Sequence, residues 1–178
     1  MMVLAFFWGM AEASLFFIVP DVLVSLVALR RGWHRGAMVA LGAAFGALLG
    51  GAIMLAWASR DPAVAVAAVA LVPNISDAMM AGARADLAAR GVMALAVGGL
   101  SGVPYKIYAV EAPGLGLALP VLLATLPVRL ARFLAVAAVA AGARRLLEGA
   151  RLGPGAQTLV LLTFWLVFYL WFFRVMPE

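Results

Sequence analysis

The sequence contains no cysteine and only one histidine, His34, and these two shortages remove several kinds of chemistry. Without thiols the chain cannot form disulfides, hold an iron–sulfur cluster or bind zinc through thiolates. A transition-metal site made only of protein ligands is not expected around a single histidine. We also find no nucleophile–base pair, metal-ligand set or phosphate-binding loop, so we expect neither an enzyme nor a cofactor.

Charged residues are also scarce, at 12% of the chain, whereas hydrophobic residues make up 67%. Soluble domains use about 45–50% apolar residues, and the mean hydropathy here is +1.11. Residues 37–58 carry no charge and are long enough to cross a hydrocarbon core of about 30 Å. We therefore predict a multi-pass membrane protein. The apolar N-terminus has no basic region or cleavage motif, so we interpret it as mature structure and not as a signal peptide.

Residues 2–29 form an apolar run that is too long for one comfortable helix across a bilayer, and Pro20 breaks it. The part after Pro20 would be roughly 14 Å long as a helix, which is half a bilayer. A re-entrant hairpin that dips into the membrane and returns to the same side fits this length. The same plan recurs around Pro104, and we predict both prolines to be structural breaks.

The predicted fold class is an all-α membrane protein with two inverted repeats of re-entrant hairpin plus transmembrane helix, followed by a C-terminal transmembrane helix. Length does not decide whether residues 63–72 cross, lie at the interface or pack as a half-helix. The predicted single membrane domain, 1–178, comprises hairpin 1 (1–30), a transmembrane helix (37–58), a short apolar piece and an interfacial helix (63–90), hairpin 2 (91–114), a second transmembrane helix (115–143) and the C-terminal transmembrane helix (156–174).

Two local patterns predict how the helices end and pack. Ser76 or Asn74 is the expected N-cap of the interfacial helix, and Gly91 its C-terminal stop. Glycines at positions 42, 46 and 50 recur every four residues and so line one face of the first long helix. Small residues at this spacing let another helix approach closely, and we favour this packing role over a ligand role.

Basic residues outnumber acidic ones by 13 to 8, which gives a formal net charge of +5. The arginines flank the apolar runs, as topology signals do, so nucleic acid is not an expected partner. The positive-inside rule predicts that the more basic side and the N-terminus are cytoplasmic. The more basic side carries Arg30, Arg31, Arg35, Arg144, Arg145 and Arg151, and the other side carries Arg60, Arg84, Arg90 and Arg174.

Charged residues inside apolar segments are costly in lipid and usually mark a polar path or a binding site. Glu12 and Asp21 lie in the first predicted hairpin, and Lys106, Arg129 and Arg132 lie in the second half of the chain. Arg129 and Arg132 are three residues apart and so share a helix face. Opposing hairpin tips near the bilayer middle would bring these charges together and lower their desolvation cost. We predict that the five residues form the path for substrate and protons.

The same residues also have structural interpretations. Glu12 can belong to a charge cluster that only fixes the fold, and Arg132 can snorkel toward an interface. Asp21 can cap the helix that begins after Pro20, which is compatible with ion or proton binding. We interpret His34, which lies among arginines, as a solvated interfacial residue and not as a proton relay. The C-terminal aromatic run is most simply a lipid-facing and interfacial belt, and it is weaker evidence for binding a prenyl or acyl chain.

These features together resemble those of a known family. The residues that carry the resemblance are Glu12-Ala13-Ser14, Val19-Pro20-Asp21, Ala89-Arg90-Gly91, Gly102-Val103-Pro104-Tyr105-Lys106 and Arg129-Leu130-Ala131-Arg132-Phe133. In this order and spacing, over about residues 8 to 140, the chain resembles the DedA superfamily, also called the VTT or SNARE-associated Golgi protein family. It is most similar to the short bacterial branch, whose second hairpin carries a Pro-Tyr-Lys or Pro-Phe-Lys tip.

The resemblance implies a protein of the bacterial inner membrane with two facing re-entrant hairpins. Such proteins move lipids or polyprenyl-phosphate carriers between leaflets, as flippases or scramblases, in some members with coupling to the proton gradient. The family's acidic residues match Glu12 and Asp21, and its basic residues match Lys106, Arg129 and Arg132. Expected partners are thus membrane lipids or polyprenyl phosphate, and protons. Two other functions stay open: a proton-coupled transporter of a small ion or solute, and a non-transport assembly factor of the envelope.

Overall fold

The computed structural model describes residues 1–175, which are all-helical, with 85% helix and no strand in this part of the chain. The predicted domain extends to residue 178, and residues 176–178 lie outside the described residues. A short 3₁₀ turn (Pro113–Leu115) precedes the longest helix. The α-helices are α1 (Met2–Ser14), α2 (Asp21–Arg31), α3 (Trp33–Arg60), α4 (Pro62–Ala70), α5 (Asp77–Arg90), α6 (Met93–Ser101), α7 (Tyr105–Glu111), α8 (Ala118–Gly149) and α9 (Pro154–Val175).

Three of these helices, α3, α8 and α9, are long and apolar enough to cross a membrane. This confirms an all-helical protein with candidate transmembrane helices at the three predicted places. The first and third helices extend beyond both predicted bounds (37–58 and 156–174), whereas α8 begins three residues after its predicted start and extends only beyond the end of its range (115–143). The largest extension, at the end of α8, includes Arg144 and Arg145. Arginine and leucine favour helix strongly, so the helix continues past the point where the apolar run stops.

Local signals in the sequence set several helix ends. Both prolines of the predicted hairpins immediately precede a helix, since α2 begins after Pro20 and α7 begins after Pro104. The Ser76 hydroxyl accepts a hydrogen bond from the Met79 amide at 3.2 Å, which confirms Ser76 as the N-cap of α5. Gly91 has φ +55° after the last residue of α5, a conformation that favours glycine, and this confirms the predicted stop.

The glycine face of α3 packs against α1. A Cβ atom added at Gly42, Gly46 or Gly50 would overlap backbone carbonyl oxygens of α1 that recur at the same spacing of four. This confirms that the glycines serve close helix packing and identifies α1 as the partner. Because Met2 lies beside Gly42 and Met10 beside Gly50, α1 and α3 run in the same direction.

Two pairs of short helices, α1–α2 around Pro20 and α6–α7 around Pro104, are oriented oppositely along the long helices α3 and α8. After α1, the bend at residues 15–20 reverses the chain, and α2 returns to the beginning of α3, where Ala28 contacts Gly36. Gly36 also lies beside Ala137 of α8 and Gly32 lies beside Arg144, so α3 and α8 are antiparallel. In the second pair, Tyr108 of α7 packs on Gly98 of α6, and α7 leads into the start of α8. The open end of the α1–α2 pair therefore lies where α3 begins. The open end of the α6–α7 pair lies at the other end of the long helices, where α8 begins.

The glycine contact gives a prediction for stability. Gly46→Ala should lower the free energy of unfolding, because the added methyl group meets the backbone of Phe6 and overpacking of this kind costs about 1–3 kcal/mol. The matched control is Gly142→Ala in α8, where no atom of the described part of the chain lies within 4 Å of the new Cβ. Thermal unfolding of the purified protein in detergent should show a lower midpoint for Gly46→Ala only. Equal midpoints for the two variants would contradict the close contact.

Candidate functional site

Two carboxylates of the first helix pair meet two guanidinium groups of α8. The Glu12 carboxylate contacts the Arg129 guanidinium, and both side chains are almost completely buried. Arg132 Nη2 donates a hydrogen bond of 2.7 Å to Asp21 Oδ2, and the Asp21 side chain is 1% exposed. Each buried charge is thereby compensated by an opposite charge, which lowers the cost of placing it in an apolar interior. The structure thus brings together four of the five predicted site residues.

The bend of the second helix pair reaches the same stretch of α8. The Tyr105 hydroxyl and the Thr125 hydroxyl form a hydrogen bond of 2.6 Å, and Thr125 also donates to the Val121 carbonyl at 2.8 Å. Arg129 Cζ lies 5.5 Å from the Tyr105 ring centroid and 5.1 Å from that of Phe133. These distances allow cation–π attraction, which is stronger in a desolvated site. Arg129 is therefore held by a carboxylate and two aromatic rings.

A cavity of about 690 Å³ lies beside these charges. Glu12, Asp21, Arg129 and Arg132 are among the residues that line it, together with Tyr105. Parts of α6 and α8 extend the wall with small and aliphatic residues. The aromatic part of the lining belongs to α9, from which the lining residues are Phe164, Trp165, Phe168, Tyr169 and Phe172. The cavity lining therefore combines charged with apolar side chains, and its volume is in the range of about 300–1,000 Å³ that small-molecule sites occupy.

The aromatic run of α9 is thus more than the lipid-facing belt that was its simplest interpretation. Trp171 and Phe173 are 55% and 42% exposed and lie outside the cavity lining, as a belt requires. Five other aromatic residues of the run face the cavity. The sequence did not separate the two groups, because which face of α9 meets the bundle is decided by tertiary contacts.

Lys106, the fifth predicted site residue, lies apart from the cavity. It is the second residue of α7 and is 2% exposed, but it is absent from the cavity lining. Within residues 1–175 no carboxylate oxygen lies within 4 Å of its ammonium group. The expected meeting of two carboxylates with three cations is therefore realised as two ion pairs, with the lysine elsewhere in the interior.

Two further predicted residues have clear positions. Asp21 is the first residue of α2, and no side chain among residues 1–175 caps that helix, so its carboxylate serves Arg132 instead of the capping role considered from the sequence. His34 is exposed at the start of α3, consistent with a solvated residue. The break residues Pro20 and Pro104 lie directly before α2 and α7, and Pro104 also lines the cavity.

Sequence reasoning did not select Thr125, Tyr105 or Tyr169 as site residues. Thr125 lies one helical turn before Arg129, so the i, i+4 spacing was a signal that could have found it. Tyr105 was noted only as part of the hairpin tip. Tyr169 accepts a hydrogen bond of 3.0 Å from the Val19 amide, 150 residues earlier in the chain, and no local pattern indicates such a contact.

A third buried carboxylate lies outside the site. Glu111 at the end of α7 accepts a 2.6 Å hydrogen bond from Arg84 of α5, whose side chain is 51% exposed. This pair fixes α5 to the end of α7 that is farthest from the cavity. We assign it a structural role in holding the second helix pair.

Two replacements of Tyr105 should separate its hydrogen bond to Thr125 from the contact of its ring with Arg129. Tyr105→Phe should lower the free energy of unfolding by about 1 kcal/mol, because it removes one buried hydrogen bond and keeps a ring beside Arg129. Tyr105→Leu should cost more, since it removes the ring as well. Denaturant or thermal unfolding in detergent measures both variants. A larger loss for the phenylalanine variant than for the leucine variant would contradict this assignment.

No family model, no curated protein and no solved structure matches this chain.

Proposed function

We propose that this protein moves a lipid or polyprenyl-phosphate carrier between the leaflets of the bacterial inner membrane, as a flippase or scramblase, and that it belongs to the DedA superfamily that its sequence resembles. The observation that carries the proposal is the cavity, which combines two ion pairs with an aromatic wall in a protein with three candidate membrane-spanning helices. A phosphate headgroup needs cations and an attached chain needs an apolar surface. This cavity offers both within one volume.

Arg132 is the group best suited to meet the headgroup. Its side chain is 31% exposed, whereas that of Arg129 is 6% exposed. Guanidinium groups bind phosphate through two parallel hydrogen bonds, and such charge-assisted bonds are stronger than neutral ones. Only one Arg132 nitrogen is used by Asp21. The remaining donors are available to a phosphate that enters the cavity.

Helix lengths support the re-entrant placement of the two hairpins. The longest of the four hairpin helices, α1, has 13 residues and spans roughly 20 Å at 1.5 Å per residue, less than a hydrocarbon core of about 30 Å. Because the pairs open toward opposite ends of α3 and α8, they would enter the membrane from opposite faces as an inverted repeat. Arg30 and Arg144 lie at the same end of the bundle, around Gly32 and α9. This grouping supports a cytoplasmic placement of that end and of the N-terminus.

Coupling to protons would use the two carboxylates. Asp21 Oδ1 is buried and has no hydrogen-bond partner among the described residues, although the other oxygen is bonded to Arg132. An unused buried acceptor beside a cavity is a site where a proton can be taken up. In this mechanism Glu12 or Asp21 takes up a proton when a phosphate engages the arginines, because the added negative charge disfavours the ionised carboxylate, and releases it when the phosphate leaves and the ion pair reforms.

A non-transport assembly factor is the second function that an observation favours. Each buried carboxylate of the site already has a guanidinium partner, which is also what a purely structural cluster would show. A small-solute transporter would use the same carboxylates but has no need for an aromatic wall on the cavity. Only the lipid transporter should move a lipid between leaflets, whereas the assembly factor needs the ion pairs for the fold alone.

The test is lipid translocation by the purified protein in proteoliposomes. Fluorescent phospholipid and polyprenyl phosphate are each placed in one leaflet, and their appearance in the other is followed with and without a pH gradient. We expect the protein to accelerate movement of at least one of them over protein-free vesicles, and acceleration by the gradient would indicate coupled transport. No movement of either lipid under either condition would refute the proposal and favour an assembly role or a small-solute carrier.

A further inference from the structure

The helix α9 differs from the other walls of the cavity in how it is attached. Its only buried residue within the described part is Gln157 near its start, and its apolar segment has no buried residue. By contrast, α1 is packed backbone to backbone on the glycines of α3. The wall that carries the aromatic side chains is therefore the wall with the least packing.

The attachment of α9 consists mainly of separate polar contacts along the first helix pair. Near its start, Arg30 Nη1 donates to Thr158 Oγ1 at 2.9 Å. In the middle, Trp165 Nε1 donates to the Ser25 hydroxyl at 2.9 Å. Farther along, the Val19 amide donates to the Tyr169 hydroxyl at 3.0 Å. Contacts of this kind can break and reform without repacking a core, whereas interdigitated interiors resist such movement.

The last of these contacts joins α9 to the charged wall. Val19 lies in the bend between α1 and α2, two residues before Asp21, and Asp21 is paired with Arg132. A displacement of Tyr169 therefore releases the backbone that positions the Asp21 carboxylate. The contact connects the aromatic residues of α9 with the Asp21–Arg132 ion pair.

We propose that α9 is a lateral gate, which swings away from α2 to open the cavity to the bilayer, and that Tyr169 is the positioning residue that links this movement to the Asp21–Arg132 pair. That a lipid is the molecule that passes this gate rests on the proposed function. The movement itself does not depend on it. With α9 closed, the aromatic residues complete the cavity wall, and with α9 open, an alkyl or prenyl chain can enter sideways from the membrane while its headgroup reaches Arg132.

The first experiment locks the gate reversibly. Because the chain has no cysteine, a Ser25→Cys, Trp165→Cys double variant carries only the two introduced thiols, and a bis-methanethiosulfonate reagent joins α2 to α9 through disulfides. We expect lipid translocation to fall at least about tenfold on linking and to recover on reduction, as for a closed lid. The control pair is Arg144→Cys with Glu148→Cys, which lie on one exposed turn of α8 outside the cavity. Unchanged translocation by the linked α2–α9 variant would overturn the gate.

The second experiment reads the movement without any transport assay. Nitroxide labels at Arg31→Cys and Leu170→Cys, both exposed positions, report the α2–α9 separation by double electron–electron resonance. Tyr169→Phe removes one hydrogen bond, which should raise the population at longer separation about fivefold. Leu166→Ala, on the same helix at a position that is 61% exposed and outside the cavity lining, is the control and should leave the distribution unchanged. An identical distribution for Tyr169→Phe and the parent protein would overturn the linking role, even if no lipid were found to move.

Discussion

Replacing Glu12 by glutamine is expected to reduce lipid translocation to the rate of protein-free vesicles. The amide keeps the shape of the carboxylate and can still accept a hydrogen bond from Arg129, but it can neither bind a proton nor carry a negative charge. If the proton cycle uses Glu12, transport therefore stops while the fold is kept. The measurement is translocation in proteoliposomes at matched protein content, with folding checked by thermal unfolding. Transport by Glu12→Gln at the parent rate would exclude a proton role for this residue.

A double-variant cycle separates this role from a purely structural one. Glu12→Leu leaves Arg129 buried without its carboxylate, and removal of one partner of a buried pair costs roughly 3–5 kcal/mol. Adding Arg129→Met replaces the pair by apolar side chains and should return most of the lost stability. We expect the double variant to fold and still not to transport. Recovery of both stability and transport would show that the pair serves only the fold.

The choice of Glu12 with Arg129 for this cycle comes from the structure. The sequence suggests Lys106 as readily as Arg129 as the cation that meets Glu12, whereas the structure pairs Glu12 with Arg129. The matched control is Glu148→Gln at the exposed i, i+4 pair with Arg144 on the same helix as Arg129. Exposed pairs contribute about 0–1 kcal/mol, so neither stability nor transport should change there.

Replacing Arg132 by glutamine is expected to weaken headgroup binding by about 10- to 100-fold, because hydrogen bonds to charged groups contribute roughly 1.5–3 kcal/mol. The effect should appear as a higher lipid concentration for half-maximal translocation. Arg132→Lys should recover part of the affinity, since it keeps the charge and loses the paired geometry. The measurement is the initial rate against the mole fraction of polyprenyl phosphate in the vesicle.

Arg144→Gln supplies the control for this second result. Arg144 lies on the same helix, with a side chain 37% exposed, but outside the cavity. Its replacement removes the same charge from the protein without touching the proposed headgroup site. Equal losses in the two variants would mean that net charge, and not the position of Arg132, sets the affinity.

Several structural features followed from local sequence patterns. The uncharged stretch in α3 is one continuous segment, and the Ser76 cap and the Gly91 stop each depend on residues within about one turn. The glycine spacing in α3 likewise predicted a closely packed face. Such features are decided by hydropathy, backbone conformation and side-chain size, which a short segment carries by itself.

The sequence also indicated which charged residues form the site, but it did not indicate which cation pairs with which carboxylate. A chain with 12% charged residues leaves few carboxylates and cations in apolar segments, and the cost of burying them singles them out. Which cation compensates which carboxylate depends on the rotation of α8 relative to α1 and α2. That rotation turned Arg129 toward Glu12 and Arg132 toward Asp21, whereas the packing of α7 keeps Lys106 away from the cavity.

By itself, then, the sequence determined an all-helical chain with three helices able to span a membrane, with proline breaks before α2 and α7 and charge near them. Only the tertiary structure decided that one face of α9 closes a cavity, that α1 lies on the glycines of α3, and that Tyr169 contacts Val19. The physical reason is that apolar helices tolerate many rotations and partners in an apolar surrounding. A single set of close contacts and buried hydrogen bonds selects among them.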